Sequence, residues 1–228
     1  MNDITLTITD IREKIHAAAK RSGRSGEDVQ LMAVTKTKSK EQVEAAYQAG
    51  VRLFGENRVQ EAYEKYKDFH SDVVLHLIGH LQSNKAKFAV EIADCVQSID
   101  KLKTAKELEK RCASLDKSMD VYIEFNTSGE DSKSGYLTKD TMFSEVEQIA
   151  NLPHLRVKGL MTIGPFTDNK DEIRRAFSFL RTLFEETKQR FPGLPLSELS
   201  MGMTSDYEIA VEEGSTMVRI GTALFGSR

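Results

Sequence analysis

The 228-residue chain is 39% hydrophobic and 29% charged, apolar enough to bury a sizeable core and too apolar for wholesale disorder. Its 32 Lys and Arg against 35 Asp and Glu leave a net charge of −3, without the basic footprint of a general nucleic-acid binder. No apolar run reaches the ~20 residues that span a bilayer, and only two cysteines, Cys95 and Cys112, occur, which suits a reducing cytoplasm better than a disulfide scaffold.

The start, Met1-Asn2-Asp3-Ile4-Thr5, carries an acid and no cationic flank of a secretory signal. Residues 3–22 then predict an amphipathic helix with Ile11, Ile15, Ala18 and Ala19 on one stripe. After a glycine-bearing turn, 29–36 is rich in strand formers. Ser39-Lys40-Glu41-Gln42 has the form of a capping box, and Gly50 stands where a left-handed C-cap closes the helix. Further strands are predicted over 52–57, 73–80, 95–100, 119–126, 155–163, 196–202 and 217–225. Helical stretches fall between them at 58–69, 84–92, 101–114, 139–150, 170–190 and 205–213. Strand–helix alternation implies parallel pairing with right-handed crossovers. Eight such units are the content of an α/β fold, a single (β/α)8 TIM barrel with an extra N-terminal helix. A doubly wound open sheet shares the pattern; the unit count favours the barrel, as one domain over 1–228.

In such a barrel the active site forms where strands end. The strand-terminal residues are Lys36, Asn57, His80, Asn126 and Met161-Thr162, followed by the runs Ser200–Ser205 and Arg219–Thr222. Those last two loops each carry a hydroxyl and a glycine, Ser200 with Gly202 and Gly221 with Thr222, a composition that cradles phosphate. Ser205-Asp206-Tyr207-Glu208 adds a second capping-box pattern beside them. Lys36, at the tip of an apolar strand with Lys38 close by, predicts a partly desolvated amine pushed toward its neutral form. That form condenses with aldehydes to a Schiff base, although a solvated lysine marking a strand end has the same spacing. A phosphate cradle across from a reactive amine points to pyridoxal 5′-phosphate.

Six stretches carry a family resemblance. They are Ala33-Val34-Thr35-Lys36-Thr37-Lys38, Phe54-Gly55-Glu56-Asn57-Arg58-Val59-Gln60-Glu61 and His76-Leu77-Ile78-Gly79-His80-Leu81-Gln82-Ser83-Asn84-Lys85. The others are Gly159-Leu160-Met161-Thr162-Ile163, Leu199-Ser200-Met201-Gly202-Met203 and Val218-Arg219-Ile220-Gly221-Thr222-Ala223-Leu224-Phe225-Gly226. On these the chain resembles the pyridoxal 5′-phosphate homeostasis proteins, also called proline synthase co-transcribed homologues. The resemblance implies a barrel like the N-terminal domain of alanine racemase, with Lys36 as Schiff-base lysine and Asn57 in the cofactor site. It further implies phosphate contacts from Ser200, Gly221 and Thr222, with Arg219 facing the pyridine nitrogen. The implied role is to hold the cofactor and deliver it to pyridoxal-phosphate-dependent apo-enzymes, in vitamin B6 and amino-acid homeostasis and without established catalysis. Thr35 and Thr204 stand where serine is commoner, keeping the hydroxyl, and Ser39 stands where proline is commoner.

An arginine stays protonated, so a ring nitrogen beside it stays unprotonated and the ring is a weaker electron sink. Racemases built on this barrel add a β-domain with a tyrosine base; a sequence reaching only Arg228 leaves no room for one, which favours a carrier and a monomer. The rival is an amino-acid racemase working from the barrel alone, with His80 or Tyr136 as its base. A Schiff-base aldolase would use Lys158, which Val157-Lys158-Gly159 places inside a strand. His76 and His80 stand ~13 Å apart along a strand, too far for one metal ion. Cys95 and Cys112 read as small hydrophobes, Met161, Met201 and Met203 as barrel filling, and Phe177, Leu180, Leu183 and Phe184 as a sheet-covering face. The polar loop 128–135 reads as an ordinary exposed loop, free to move; the resemblance adds its Lys133, which matches the family's Lys-x-Gly segment, as a candidate ligand contact.

Overall fold

Apolar runs of four to seven residues form the strands, and amphipathic stretches form the helices that cross between them. In chain order these are α1 (Ile4–Arg21), β1 (Gln30–Val34), α2 (Lys40–Gln48), β2 (Leu53–Glu56), α3 (Val59–Tyr66), β3 (Val74–Leu77) and α4 (Ala86–Ile92). There follow β4 (Cys95–Ile99), α5 (Leu102–Ser114), β5 (Met119–Glu124), α6 (Lys139–Ile149), β6 (Leu155–Met161) and α7 (Lys170–Arg190). The last are β7 (Glu198–Met203), α8 (Tyr207–Glu212), β8 (Met217–Ile220) and α9 (Thr222–Phe225). The computed structural model describes residues 4–130 and 132–226; Asp3, Asp131 and Arg228, which enter the sequence reading, lie outside the described residues.

Every strand pairs in parallel with its sequence neighbours, and β8 pairs with β1 from Gln30↔Met217 to Ala33↔Ile220, so the sheet closes into an eight-stranded barrel. This second pairing of β1 excludes the open sheet. Local signals behave largely as their chemistry dictates. Ser39 Oγ accepts the Gln42 N–H while Gln42 Oε1 accepts the Ser39 N–H, and Gly50 takes a φ of 90°. Two expectations need correction. The Ser205 capping box does not form: Asp206 is the N-cap of α8, and its carboxylate turns back to accept the Met203 N–H at 2.6 Å, fastening the end of β7. The last strand stops at Ile220 rather than 225, because the Gly221 carbonyl accepts N–H groups from Leu224 and Phe225 and starts the short α9.

The larger core lies between barrel and helices and takes in the α1 stripe Ile8, Ile11, Ile15, Ala18 and Ala19 together with Phe177, Leu180, Leu183 and Phe184. A smaller cluster of Met32, Cys95, Tyr122, Met161 and Met217 fills the barrel itself. Met161 is therefore barrel filling, as the sequence predicts. Met201 instead packs in the helix-facing core, because period-two alternation turns Ser200 inward, and Met203 lines the mouth, because the register to β8 shifts between Ser200 and Met203 and breaks the alternation there. Cys112 packs in the outer core and Cys95 in the inner one. No helix among the described residues is long and apolar enough to cross a membrane.

Closure depends on close backbone approach at Gly159, where a Cβ would lie 2.1 Å from the Glu198 carbonyl oxygen across the β6–β7 pairing. Nothing lies within 4 Å of a Cβ at Gly193. Gly159→Ala is expected to lower the unfolding free energy by at least about 2 kcal/mol, and Gly193→Ala to stay within about 0.5 kcal/mol of the parent, both read from urea midpoints.

Candidate functional site

Side chains alternate along each strand, and the alternation decides what reaches the barrel mouth. On β1, Met32 and Val34 face inward, Ala33 and Thr35 face the helices, and Lys36 returns to the inner side just past the strand. On β8 the same rule turns Met217, Arg219 and Gly221 inward, and on β5 it turns Tyr122 and Glu124 inward. The result is a cavity of about 490 Å³ at the C-terminal ends of the strands, a usual size for a small-molecule site. Lys36, Asn57, His80, Glu124, Arg219 and Thr222 share its wall with Gly221, Thr204 and Ser205.

Five of the six residues singled out for the cofactor thus meet at one mouth. Lys36 is exposed at the rim, not partly buried as the sequence predicts, because β1 ends at Val34 and the lysine stands on a turn beyond it. Among the described residues nothing hydrogen-bonds or ion-pairs its amine. Asn57 lies where Gly79 lets β2 and β3 exits come together; a Cβ at Gly79 would sit 2.4 Å from the Asn57 carbonyl oxygen. Ser200 is the exception. It is fully buried below the mouth, donates to Gln97 Oε1 at 2.7 Å and accepts from Arg219 Nη1 at 2.6 Å. The rim hydroxyls in that quarter come instead from Thr204 and Ser205.

Arg219 is the dry cation of the site. Its Nη2 donates to the Thr162 carbonyl at 2.7 Å, and burial lowers its pKa to about 10 against the pull of Asp206 and Glu124, so it stays charged at neutral pH. Glu124 approaches from the opposite wall. It is 3% exposed, and its Oε2 has no hydrogen-bond partner. Burial, with Asp100 adding to it, pushes its pKa up to about 7, while Arg219 pulls it back. A guanidinium, a free amine and the hydroxyls of Ser134, Thr204, Ser205 and Thr222 suit an anionic, carbonyl-bearing ligand, and the orphaned Glu124 carboxyl suits a hydrogen-bond donor on it, so the set fits pyridoxal 5′-phosphate.

Comparison with known proteins gives the family. The alanine racemase N-terminal domain model matches residues 7–228. The "Pyridoxal phosphate homeostasis protein" of Pasteurella multocida is 43% identical, with 99% of this chain and 97% of that protein covered. This chain belongs to the pyridoxal phosphate homeostasis protein family. The PipY structure of Synechococcus elongatus with pyridoxal phosphate bound is 38% identical with a TM-score of 0.83, covering 95% of this chain and all of that one. A histidine racemase from Leuconostoc mesenteroides shares the fold at 18% identity and a TM-score of 0.73, covering 99% of this chain and 57% of the racemase.

Within this homeostasis-family barrel the remaining candidates fall away from the mouth or to its edge. His80 lies on the rim with Nδ1 3.1 Å from Asp100 Oδ2. Tyr136 is buried and donates to Glu145 Oε2 at 2.6 Å. Lys158 lines a separate cavity at the N-terminal ends of the strands, with His76, Tyr122 and Glu198. Lys133 donates to Glu130 Oε1 at 2.5 Å and to the Gly164 carbonyl at 2.7 Å, tying loop 128–135 to the segment after β6; Ser134 is the loop residue that lines the mouth. Glu124 is missed because it sits inside a predicted strand; its signal, a carboxylate on one phase of β5, is shared by Asp120 and does not single it out.

Glu124 also makes a pH prediction. Its folded pKa lies above the unfolded value of 4.5, so the folded state binds more protons between pH 4.5 and about 7, and stability falls as pH rises through that window. Glu124→Gln removes the penalty. The variant is expected to match the parent near pH 4.5 and to exceed it by roughly 2–3 kcal/mol at pH 8, measured by denaturant unfolding at both values.

Proposed function

We propose that this protein is a single-domain cytoplasmic carrier of pyridoxal 5′-phosphate that serves vitamin B6 and amino-acid homeostasis without catalysing a reaction of its own. The carrying observation is the convergence of the Lys36 amine, the buried Arg219 guanidinium and the Gly221-Thr222 rim on one cavity, in a chain closely related to a structure holding that cofactor. When bound, pyridoxal 5′-phosphate supplies an aldehyde for an amine and an electron-withdrawing ring. Lys36 supplies the amine. Gly221, Thr222, Thr204 and Ser205 supply backbone and hydroxyl donors for the phosphate, with Asn57 on the adjoining wall. Arg219, braced by Ser200 and Thr162, presents a permanent cation to the ring nitrogen and leaves it unprotonated. That arrangement favours holding the cofactor over stabilising carbanions.

An exposed Lys36 and Thr222 leave the cofactor reachable from outside, as delivery to apo-enzymes by a monomer requires. The rival, a weak racemase activity, has one observation in its favour: the His80–Asp100 pair on the rim is a base with an orienting carboxylate. Enzyme-rate exchange of amino-acid α-hydrogens with solvent, lost in His80→Ala, would establish the rival.

Borohydride reduction of the loaded protein followed by peptide mapping tests the reading. The fixed adduct is expected on Lys36, absent from Lys36→Ala and retained in Lys158→Ala. An adduct on any other lysine in the parent protein overturns the assignment.

A further inference from the structure

Lys36 stands on a tight turn in which the Thr35 carbonyl accepts the Lys38 N–H at 3.0 Å. Thr37, next in the turn, has a φ of 62°, a region that a β-branched residue occupies only when its surroundings hold it there. The holding groups come from α3. Lys65, buried to 9% exposure, donates from Nζ to the Thr35 carbonyl at 2.6 Å, to Glu56 Oε1 at 2.9 Å and to Glu61 Oε1 at 2.6 Å. Glu61 Oε1 in turn accepts the Thr37 N–H. The Thr35 carbonyl belongs to the peptide bond before Lys36, and the Thr37 N–H to the peptide bond after it. A single ammonium–carboxylate pair therefore grips both peptide planes that flank the Lys36 Cα.

The grip is anchored below. Thr35 Oγ1 lies 2.7 Å from both Glu56 Oε1 and the Tyr66 hydroxyl. Burial opposes ionisation of Glu61, but Lys65 and the Thr37 N–H outweigh it and hold the carboxyl below its ordinary range, so the acceptor stays charged. None of Thr35, Glu56, Glu61, Lys65 and Tyr66 lines the cavity. What they do for the site they do through Lys36.

We propose that Lys65 and Glu61 are positioning residues that fix the Lys36 backbone so that its amine meets the ligand's carbonyl carbon. The inference rests on the reading of Lys36 as the condensing amine. In that step the Nζ lone pair attacks the carbonyl carbon and C=N replaces C=O. The two amine hydrogens leave with the carbonyl oxygen as one water, and no redox partner is needed. Pre-set geometry of this kind accelerates a condensation without adding a contact to the ligand.

Two compounds separate positioning from binding: pyridoxal 5′-phosphate, and pyridoxine 5′-phosphate, which carries an alcohol where the aldehyde would be. Glu61→Ala is expected to slow borohydride-trappable adduct formation by roughly tenfold while its affinity for pyridoxine 5′-phosphate stays within about twofold of the parent. Glu61→Gln, whose amide oxygen still accepts the Thr37 N–H, is expected to restore most of the rate, which separates position from charge. Lys65→Met should show the same split; if it fails to fold, the Glu61 pair decides alone. Parental adduct rates in Glu61→Ala, an equal loss of both compounds, or no recovery in Glu61→Gln each overturn the proposal. Absence of any trappable adduct in the parent protein would overturn the reading of Lys36 as well.

Discussion

The pairing of β8 with β1 is the constraint on which the site depends. Its register sets Met32 opposite Arg219 and Ala33 opposite Ile220, so the turn that carries Lys36 and the turn that carries Gly221 and Thr222 rise from neighbouring strands at nearly the same height. An amine and a donor-rich rim are thereby held side by side by ladder hydrogen bonds rather than by mobile loops. Period-two alternation does the rest, sending one set of side chains to the helices and the other into the barrel.

That inner set is costly. A guanidinium at 3% exposure and a carboxyl with an orphaned oxygen do not stabilise a barrel that Met, Val and Ile would fill more cheaply. Below the mouth, Arg219, Ser200, Gln97 and His76 form a hydrogen-bonded chain, with Gln97 Nε2 2.7 Å from His76 Nδ1. Burial lowers the pKa of His76 to about 4, so that ring is neutral and adds no second cation under Arg219. The polar interior has the form of a support for one charged group aimed at the cavity, which is the arrangement a ligand-holding protein needs.

Much of this was legible in the sequence because it depends on local chemistry. Strand runs, the Ser39 cap and the Gly50 terminator are short-range signals, and counting units was enough to choose a barrel. Strand-end residues named Lys36, Asn57, Arg219, Gly221 and Thr222 as a group because a barrel gathers strand ends. The misses have other origins. Asp206 displaced Ser205 as a cap because its carboxylate found the Met203 N–H three residues back, a local bond that the Ser-x-x-Glu pattern does not reveal. Ser200 carries a hydroxyl two residues before Gly202, yet inward phase put it under Arg219 instead of at the rim. Lys65 resembles any helical lysine; only the fold brings it to the Thr35 carbonyl. Glu124 lay hidden inside a strand for the same reason. Pattern reveals which backbone positions come together, whereas the partners of buried polar groups are set by contacts between distant segments.

Ring closure also has a temporal side. β8 is the last of the eight strands to leave the ribosome, and it brings with it the guanidinium, the seam to β1 and half of the donor rim. Until it emerges, β1 has an open edge and its lysine faces no finished pocket. A nascent chain that still lacks β8 therefore lacks the Arg219 cation and the Gly221–Thr222 wall, and the cavity is complete only once β8 has paired with β1.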